Sequence, residues 1–343
     1  MMNNNSLTVG KDNILTSTNF MKLANIVFSA TLSTKDFTKL NLKNYEITKN
    51  ENGLMTFINL SFDLKENDVI FCQSDNVEAL FEALPETLFK NLKLITSQSD
   101  RTISKKLFYK RPKSISTWYA TNVDYEDNSL ISIPLGIAPY RNTKSIIFED
   151  FDSINIKNKK NNLIYSNFNL NTNYFHRVKA YRESLKNERC FQTSFLTYEN
   201  YLSRLSEYSF SLAPWGNGID THRVWESLYL GVLPITKNHT HFRNFKDIPI
   251  TLIESYDKIL TFDPKDNFNV IDYSKLDITW WKEKIYKSQV KENYEIKKIQ
   301  LSRKHIKKFK KKQLRKKYIE KLKKQILTQL RKIHKRFNNL HKT

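Results

Sequence analysis

The stretch SFSLAPWGNGIDTHRVWESLYLGVLPITKN, Ser209 to Asn238, decides how this chain is read. Ser209 to Ala213 reads as a strand, Pro214, Gly216 and Gly218 as a turn, and Asp220 or Thr221, both good capping residues, as the start of a helix. The chain has only six glycines, and three of them fall between 216 and 231, so the backbone here is asked for something unusual. A strand, a glycine turn and a helix in succession let main-chain N–H groups and a helix N-terminus approach a phosphate closely. Arg223, in the first helical turn, adds a bidentate, always charged contact to the same anion. Glu226, one turn further on, can accept hydrogen bonds from ribose hydroxyls. Plainer readings stand beside these: Gly-Asn-Gly as an ordinary turn, and Arg223 with Glu226 as a surface ion pair of little energetic weight.

Outward from this stretch, apolar and β-branched runs alternate with helical patterns. Upstream, strands are expected at 26–33, 54–62, 68–74, 92–97 and 130–137, with VEALFEAL as a helix between the third and fourth. A polar, Lys and Asn rich stretch at 152–162 interrupts the pattern. Beyond it NLIYSNFNL, CFQTSFL, YSFSLAP, VLPITK and PITLIES read as strands, and FHRVKAYRESLKN, YENYLSRLSE and HRVWESLYLG as helices. This is an α/β chain whose strands are expected to be buried on both faces, arranged as two Rossmann-like units. The expected division is 1–152, 160–280 and a third segment, 281–343.

The third segment differs in kind. It holds 24 Lys+Arg against four Asp+Glu, whereas the other 280 residues hold 33 against 31. A near-neutral body with one strongly basic element argues against a nucleic-acid-binding protein with a non-catalytic body, because a nucleic-acid groove should be basic in the body too. From about Trp280 the pattern reads as one long basic helix. Leu314, Tyr318, Leu322, Ile326, Leu330, Ile333 and Phe337 share one face, which matches an interfacial helix on an anionic membrane surface. A docked helix and a nucleic-acid arm are the alternatives. Trp280 and Trp281 fit either interface anchoring or core packing.

Cys72 and Cys190 are the only cysteines, each in an apolar run, which excludes a disulfide scaffold and a cysteine zinc site. No run of 18 apolar residues and no signal-peptide pattern occurs, so the expectation is a cytoplasmic protein, peripheral at the inner face of a membrane.

The run FSLAPWGNGIDTHRVWESLYLGVLPI resembles the signature of exostosin-like glycosyltransferases: a strand, a Pro and Gly turn, an Asp-x-x-Arg-x-Trp-Glu helix and a strand after Gly-x-x-Pro-Ile. Weaker resemblance extends over NLIYSNFNLNTNYFHRVKAYRES and, upstream, DVIFCQSDN, LITSQSD and STWYATNVDYEDNSLISIPLGI, roughly residues 68 to 260. The resemblance implies a two-domain GT-B fold and an inverting transfer from a nucleotide diphosphate donor, expected to be a UDP-sugar, to a glycan or lipid-linked acceptor. It places the diphosphate against Gly216, Asn217 and Gly218, near Asp220, Thr221 and His222, with Arg223 on phosphate and Glu226 on ribose. Arg177 and Arg182, one or two turns past the Asn169 to Thr172 loop, would reach the diphosphate from the other side, or be solvated helix charges. Many GT-B enzymes carry a second Glu eight residues before the ribose Glu; here that position is Gly218, a departure that argues against the paired-glutamate subgroup.

Such a reaction needs a base on the acceptor hydroxyl and positive charge or dipoles on the leaving diphosphate. Asp100, preferred, and Asp75, each at a strand's carboxyl end, are the candidate bases, with a different carboxylate or a histidine left open and helix capping as the alternative role for either aspartate. No cofactor beyond the nucleotide sugar and no metal is required. Asp150 and Asp152, an Asp-x-Asp pair, open a competing metal-dependent reading. His239 and His241, spaced by two, lack the partners of a zinc site and read as loop residues near the cleft.

Overall fold

The computed structural model describes residues 9–85, 89–141, 146–151, 154, 161–193, 196–263, 272–287, 295–302 and 304–311, and, at intervals, 314–329. Two sheets organise the chain. The first contains β1 (Ile26–Ser33), β2 (Tyr45–Glu51), β3 (Leu54–Asn59), β4 (Val69–Gln73), β5 (Leu92–Ser97), β6 (Ile115–Ala120) and β7 (Leu130–Ser132), in the order β7-β6-β5-β4-β1-β3-β2. Strands β1, β4, β5, β6 and β7 run parallel, while β3 is antiparallel to both β1 and β2. The antiparallel edge departs from the expectation of strands buried on both faces: β2 is largely exposed, as an edge strand with Lys49 and Glu51 can be. Asn52 and Gly53, both at positive φ, close the β2–β3 hairpin, the pairing that a two-residue turn of this kind favours.

The second sheet contains β8 (Asn161–Ser166), β9 (Cys190–Gln192), β10 (Tyr208–Leu212), β11 (Leu233–Lys237) and β12 (Thr251–Ile253). All its pairs are parallel and its order is β9-β8-β10-β11-β12. The chain therefore reverses direction across the sheet between β8 and β10. In open α/β sheets the crevice outside the carboxyl ends at such a reversal is where ligands bind. The expected helices of this half form as Tyr174–Leu185, Tyr198–Ser206 and His222–Tyr229.

The carboxyl ends of the two sheets face each other. Loops after β5, β6 and β7 meet the loops after β10 and β11: Asn244 Nδ2 donates to Ser132 Oγ at 3.0 Å, and Arg243 pairs with Glu126 at 2.9 Å. One buried apolar cluster runs from Leu15 and Phe20 through Ile95 and Tyr119 to Trp225, Tyr229 and Trp281. Each such large side chain, fully buried, contributes roughly 1.5–3 kcal/mol, so this cluster ties the two sheets together. Tyr229 adds polar stitching, accepting from the Leu15 N–H at 2.8 Å and donating to the Leu276 carbonyl at 2.6 Å.

The basic segment is not one helix. Helix Ile278–Tyr286, capped by Asp277, buries Trp281 in the core, and Lys93 Nζ of the first sheet donates to the Ile285 carbonyl. Lys297–Gln300 then forms a strand antiparallel to Ser61–Leu64, with Ile299 as its buried member. Helix follows from 304, where Ile306 and Phe309 pack against the first sheet's core. Leu314, Tyr318, Leu322 and Ile326 of the apolar stripe are exposed; Leu330, Ile333 and Phe337 lie outside the described residues. Among the described residues no helix is long and apolar enough to cross a membrane.

Candidate active site

Helix His222–Tyr229 starts at Thr221 with no side-chain cap, and the first-turn N–H groups of His222 and Arg223 have no acceptor among the described residues. The amides of Gly216, Asn217 and Gly218 likewise find no acceptor among the described residues. Asp220 is held elsewhere. Fully buried, its carboxylate accepts from the Leu135 N–H at 2.9 Å, the Thr221 N–H at 2.8 Å, Trp225 Nε1 at 2.9 Å and His241 Nε2 at 3.1 Å. Its own N–H donates to Asn122 Oδ1 at 2.9 Å. Asp220 is thus a clamp between the sheets and has no capacity left for a ligand.

Arg177 and Arg182 part company. Arg177 is 3% exposed and donates to the carbonyls of Trp215 at 2.9 Å, Asn169 at 3.0 Å and Pro214 at 3.4 Å. Asn173, at a left-handed φ, donates from Nδ2 to the Gly216 carbonyl at 2.7 Å, so the loop after β8 grips the turn after β10. Arg182 is exposed on the outer side of the same helix beside Phe175 and Lys179, away from the turn. Arg223 donates from Nε to the Asn167 carbonyl at 2.7 Å and leaves its remaining N–H groups for other partners.

Among the described residues, neither Arg177 nor Arg223 is ion-paired to a carboxylate. Burial, and then the charge of Arg223, pull the Arg177 guanidinium down to about 9. Glu226 is not the surface partner of Arg223. It is buried, accepts from the Tyr201 hydroxyl at 3.3 Å, and burial raises its carboxyl pKa despite the nearby Arg223 charge. A buried cation without a counter-ion is costly, and an anion entering beside it recovers that cost. One further polar group is unmet among the described residues: the indole N–H of Trp215 is buried without an acceptor.

From the first sheet, Asp100 reaches the turn. Its carboxylate accepts a hydrogen bond from the Asn217 side chain and lies close to His222 and Asp75. Asp100 keeps an exposed face, yet the protein atoms crowded round it raise its pKa more than Asn217 and His222 lower it. His222 Nδ1 lies 2.6 Å from the Gly136 carbonyl. Since a carbonyl only accepts, that nitrogen carries the proton and Nε2 is the other ring position. Capping accounts for neither aspartate: Val77–Ala83 has no side-chain cap and Ser104 caps Lys105–Phe108. Asp75 and Asp100 also line a cavity of about 1060 Å³ that extends over the first sheet, away from the glycine turn.

Of the alternative metal pair, Asp150 is the member whose surroundings are described. Asp150 is gripped by Arg141, at 2.8 Å from Nη1 and 2.5 Å from Nη2, and accepts from the Ile147 N–H. Asp152 lies outside the described residues. His239 and His241 diverge, His239 to Asp124 at 3.1 Å and His241 to Asp220, and His241 is buried in a short helix rather than a loop. Among the described residues no three His, Cys, Asp or Glu side chains converge as a ligand set.

Sequence reasoning missed Asn122, Asn173, Trp215 and Gly136, all of which shape this site. Gly136 was the legible one, since the scarcity of glycine that marks the 216–231 stretch applies to it as well. No protein-family model and no curated protein matches the chain, so its function is argued from this geometry.

Proposed function

We propose that the protein is an inverting glycosyltransferase of GT-B organisation, moving a sugar from a nucleotide diphosphate donor, expected to be UDP-linked, to an acceptor hydroxyl. One observation carries the reading: Arg177 and Arg223, neither in a salt bridge among the described residues, stand beside the amides of Gly216 to Gly218, which have no acceptor among those residues, at the direction reversal of the second sheet. The diphosphate of the donor fits that charge deficit. Arg223 binds it directly, while Arg177 holds the turn in shape through three carbonyls and contributes its field. The ribose hydroxyls donate to Glu226, which fixes the sugar nucleotide along the helix.

Asp100 acts as the base from the opposite sheet. Its raised pKa makes its carboxylate a better proton acceptor than an ordinary aspartate, and the proton it takes comes from the acceptor hydroxyl as that oxygen attacks the anomeric carbon. The bond to the diphosphate breaks on the opposite face, and the amides and Arg223 receive the developing charge. The exposed stripe Leu314, Tyr318, Leu322 and Ile326 on a basic helix belongs, in this proposal, to an anionic membrane surface where glycan or lipid-linked acceptors reside.

The test is a thermal-shift and turnover panel of nucleotides and sugar nucleotides. UDP or a UDP-sugar is expected to raise the melting temperature of the parent. Asp100→Asn is expected to keep that shift while losing transfer by two orders of magnitude or more. Transfer in the parent is expected to persist in EDTA. A parent that no nucleotide stabilises, or an Asp100→Asn variant of full activity, would falsify the corresponding part.

A further inference from the structure

We infer that the cavity between the first sheet and the basic helix holds an amphiphile with a hydrocarbon chain and a phosphate head. Calling this amphiphile the sugar acceptor rests on the transferase reading; its binding does not. The cavity is about 1060 Å³, large enough for a ligand of many heavy atoms. Ile58 and Leu60 from the sheet side, and Leu301, Ile306, Phe309 and Ile319 from the basic segment, give it apolar walls.

The charges around these walls do not cancel everywhere. Glu78 pairs with Arg101 at 2.7 Å and Lys110 at 2.8 Å, Glu82 with Lys308 at 3.0 Å, and Glu46 with Lys310 at 2.6 Å. Lys311 and Arg315 have no carboxylate partner among the described residues, although both line the cavity. They are four apart on the helix, so their side chains share a face, and like charges so placed repel unless an anion bridges them. His305 contributes a further group, a buried Nδ1 without a hydrogen-bond partner among the described residues. Asp75 and Asp100 also line the cavity, so the phosphate head is assigned to Lys311 and Arg315 and the hydrocarbon chain to the apolar walls.

The position of the cavity adds a direction. Asp100 stands at its end nearest the glycine turn, so a hydroxyl carried on the bound amphiphile would meet the proposed base. Ile319, in the cavity lining, leads along the same helix to exposed Leu322 and Ile326. Ile319, itself half exposed, lines the cavity and continues that exposed pair, which gives a hydrocarbon chain an apolar path from a lipid surface to the cavity.

The experiment titrates full-length protein with dodecyl phosphate below its micelle concentration, against uncharged dodecyl glucoside and inorganic phosphate. Dodecyl phosphate is expected to bind at least about tenfold more tightly than either control. Lys311→Glu with Arg315→Glu, both exposed and therefore compatible with folding, is expected to weaken it by about tenfold or more at an unchanged melting temperature. Phe309→Ser is expected to weaken both alkyl ligands. Leu322→Ser with Ile326→Ser should reduce binding to phosphatidylserine vesicles and leave monomeric dodecyl phosphate binding intact. Equal affinity for dodecyl phosphate and inorganic phosphate, or an unchanged affinity in the charge variant, overturns the inference, as does loss of monomer binding in the stripe variant. If UDP gives no thermal shift but dodecyl phosphate binds as described, the transferase reading fails and the amphiphile site stands.

Discussion

Glu226 shows what a single buried carboxyl does to the rest of the molecule. Burial raises its pKa above the ordinary 4.5, and the Tyr201 hydroxyl and the Arg223 charge offset only part of that. A group whose folded pKa exceeds its unfolded pKa gives stability that is fully present below the unfolded value and is lost as pH rises through the folded one. Ionised Glu226 therefore destabilises the empty protein at neutral pH. Glutamine keeps the Tyr201 hydrogen bond without the charge. Glu226→Gln is expected to melt higher than the parent at pH 7 and to lose that advantage near pH 4, in thermal melts across that range. The same variant is expected to bind UDP less tightly, because a neutral amide is a weaker acceptor for ribose hydroxyls than a carboxylate. A variant that melts lower than the parent at pH 7 contradicts the assignment of a burial cost to this residue.

The glycine turn owes its course to close contacts on two sides. A Cβ added at Gly218 would sit 2.8 Å from Asn122 Oδ1 and 3.0 Å from its Nδ2, and Asn122 is pinned by its bonds to the Asp220 N–H and the Ser99 carbonyl. A Cβ at Gly216 would meet Arg177 Nη2 at 3.5 Å and Thr172 Cγ2 at 3.9 Å, which are ordinary contacts. Gly218→Ala is accordingly expected to shift the turn, lower the melting temperature by several degrees and lose the nucleotide-induced shift, while Gly216→Ala stays close to the parent in stability. Calorimetry of both variants with and without UDP checks the contrast. The glycines made this turn legible in the sequence, and the apolar runs made β1, β4, β5 and the whole second sheet legible. Asn122, which receives the turn, was not, because it arrives from a distant part of the chain and patterns only through tertiary contact. The β2–β3 hairpin was readable from Asn52-Gly53, yet the polar run Tyr45–Glu51 lacks the apolar alternation that strand reading relies on. Strand Lys297–Gln300 was hidden for a similar reason, its one buried member Ile299 being surrounded by the charges of the basic segment.

At the scale of the molecule, two features are set against each other: sheets locked face to face and a basic element partly left over. The lock is polar as well as apolar. The Val123 N–H approaches His241 Nδ1 at 3.4 Å, which leaves Nε2 as the position that donates to Asp220, so the segment after β6 is joined to the turn after β10 through one buried imidazole. The basic element begins inside this lock, with Trp281 in the core and Ile299 in a strand pair, and only its later turns present Leu314, Tyr318, Leu322 and Ile326 to solvent. Its surplus of Lys and Arg gives up to about 1 kcal/mol of attraction for each cation close to an anionic lipid surface, and the stripe adds apolar burial on top. The two contributions separate by salt. Screening shortens from about 10 Å at 0.1 M to about 3 Å at 1 M, which removes most of the electrostatic share and leaves the apolar share. Flotation of the full-length protein with phosphatidylserine vesicles is expected to be strong at the lower salt and weak at the higher, with neutral phosphatidylcholine vesicles weak at both. Leu322→Ser with Ile326→Ser should lower the residual binding at high salt while leaving the salt dependence in place, since the cations are untouched. Equal flotation with neutral and anionic vesicles would instead show that the cations take no part in membrane binding.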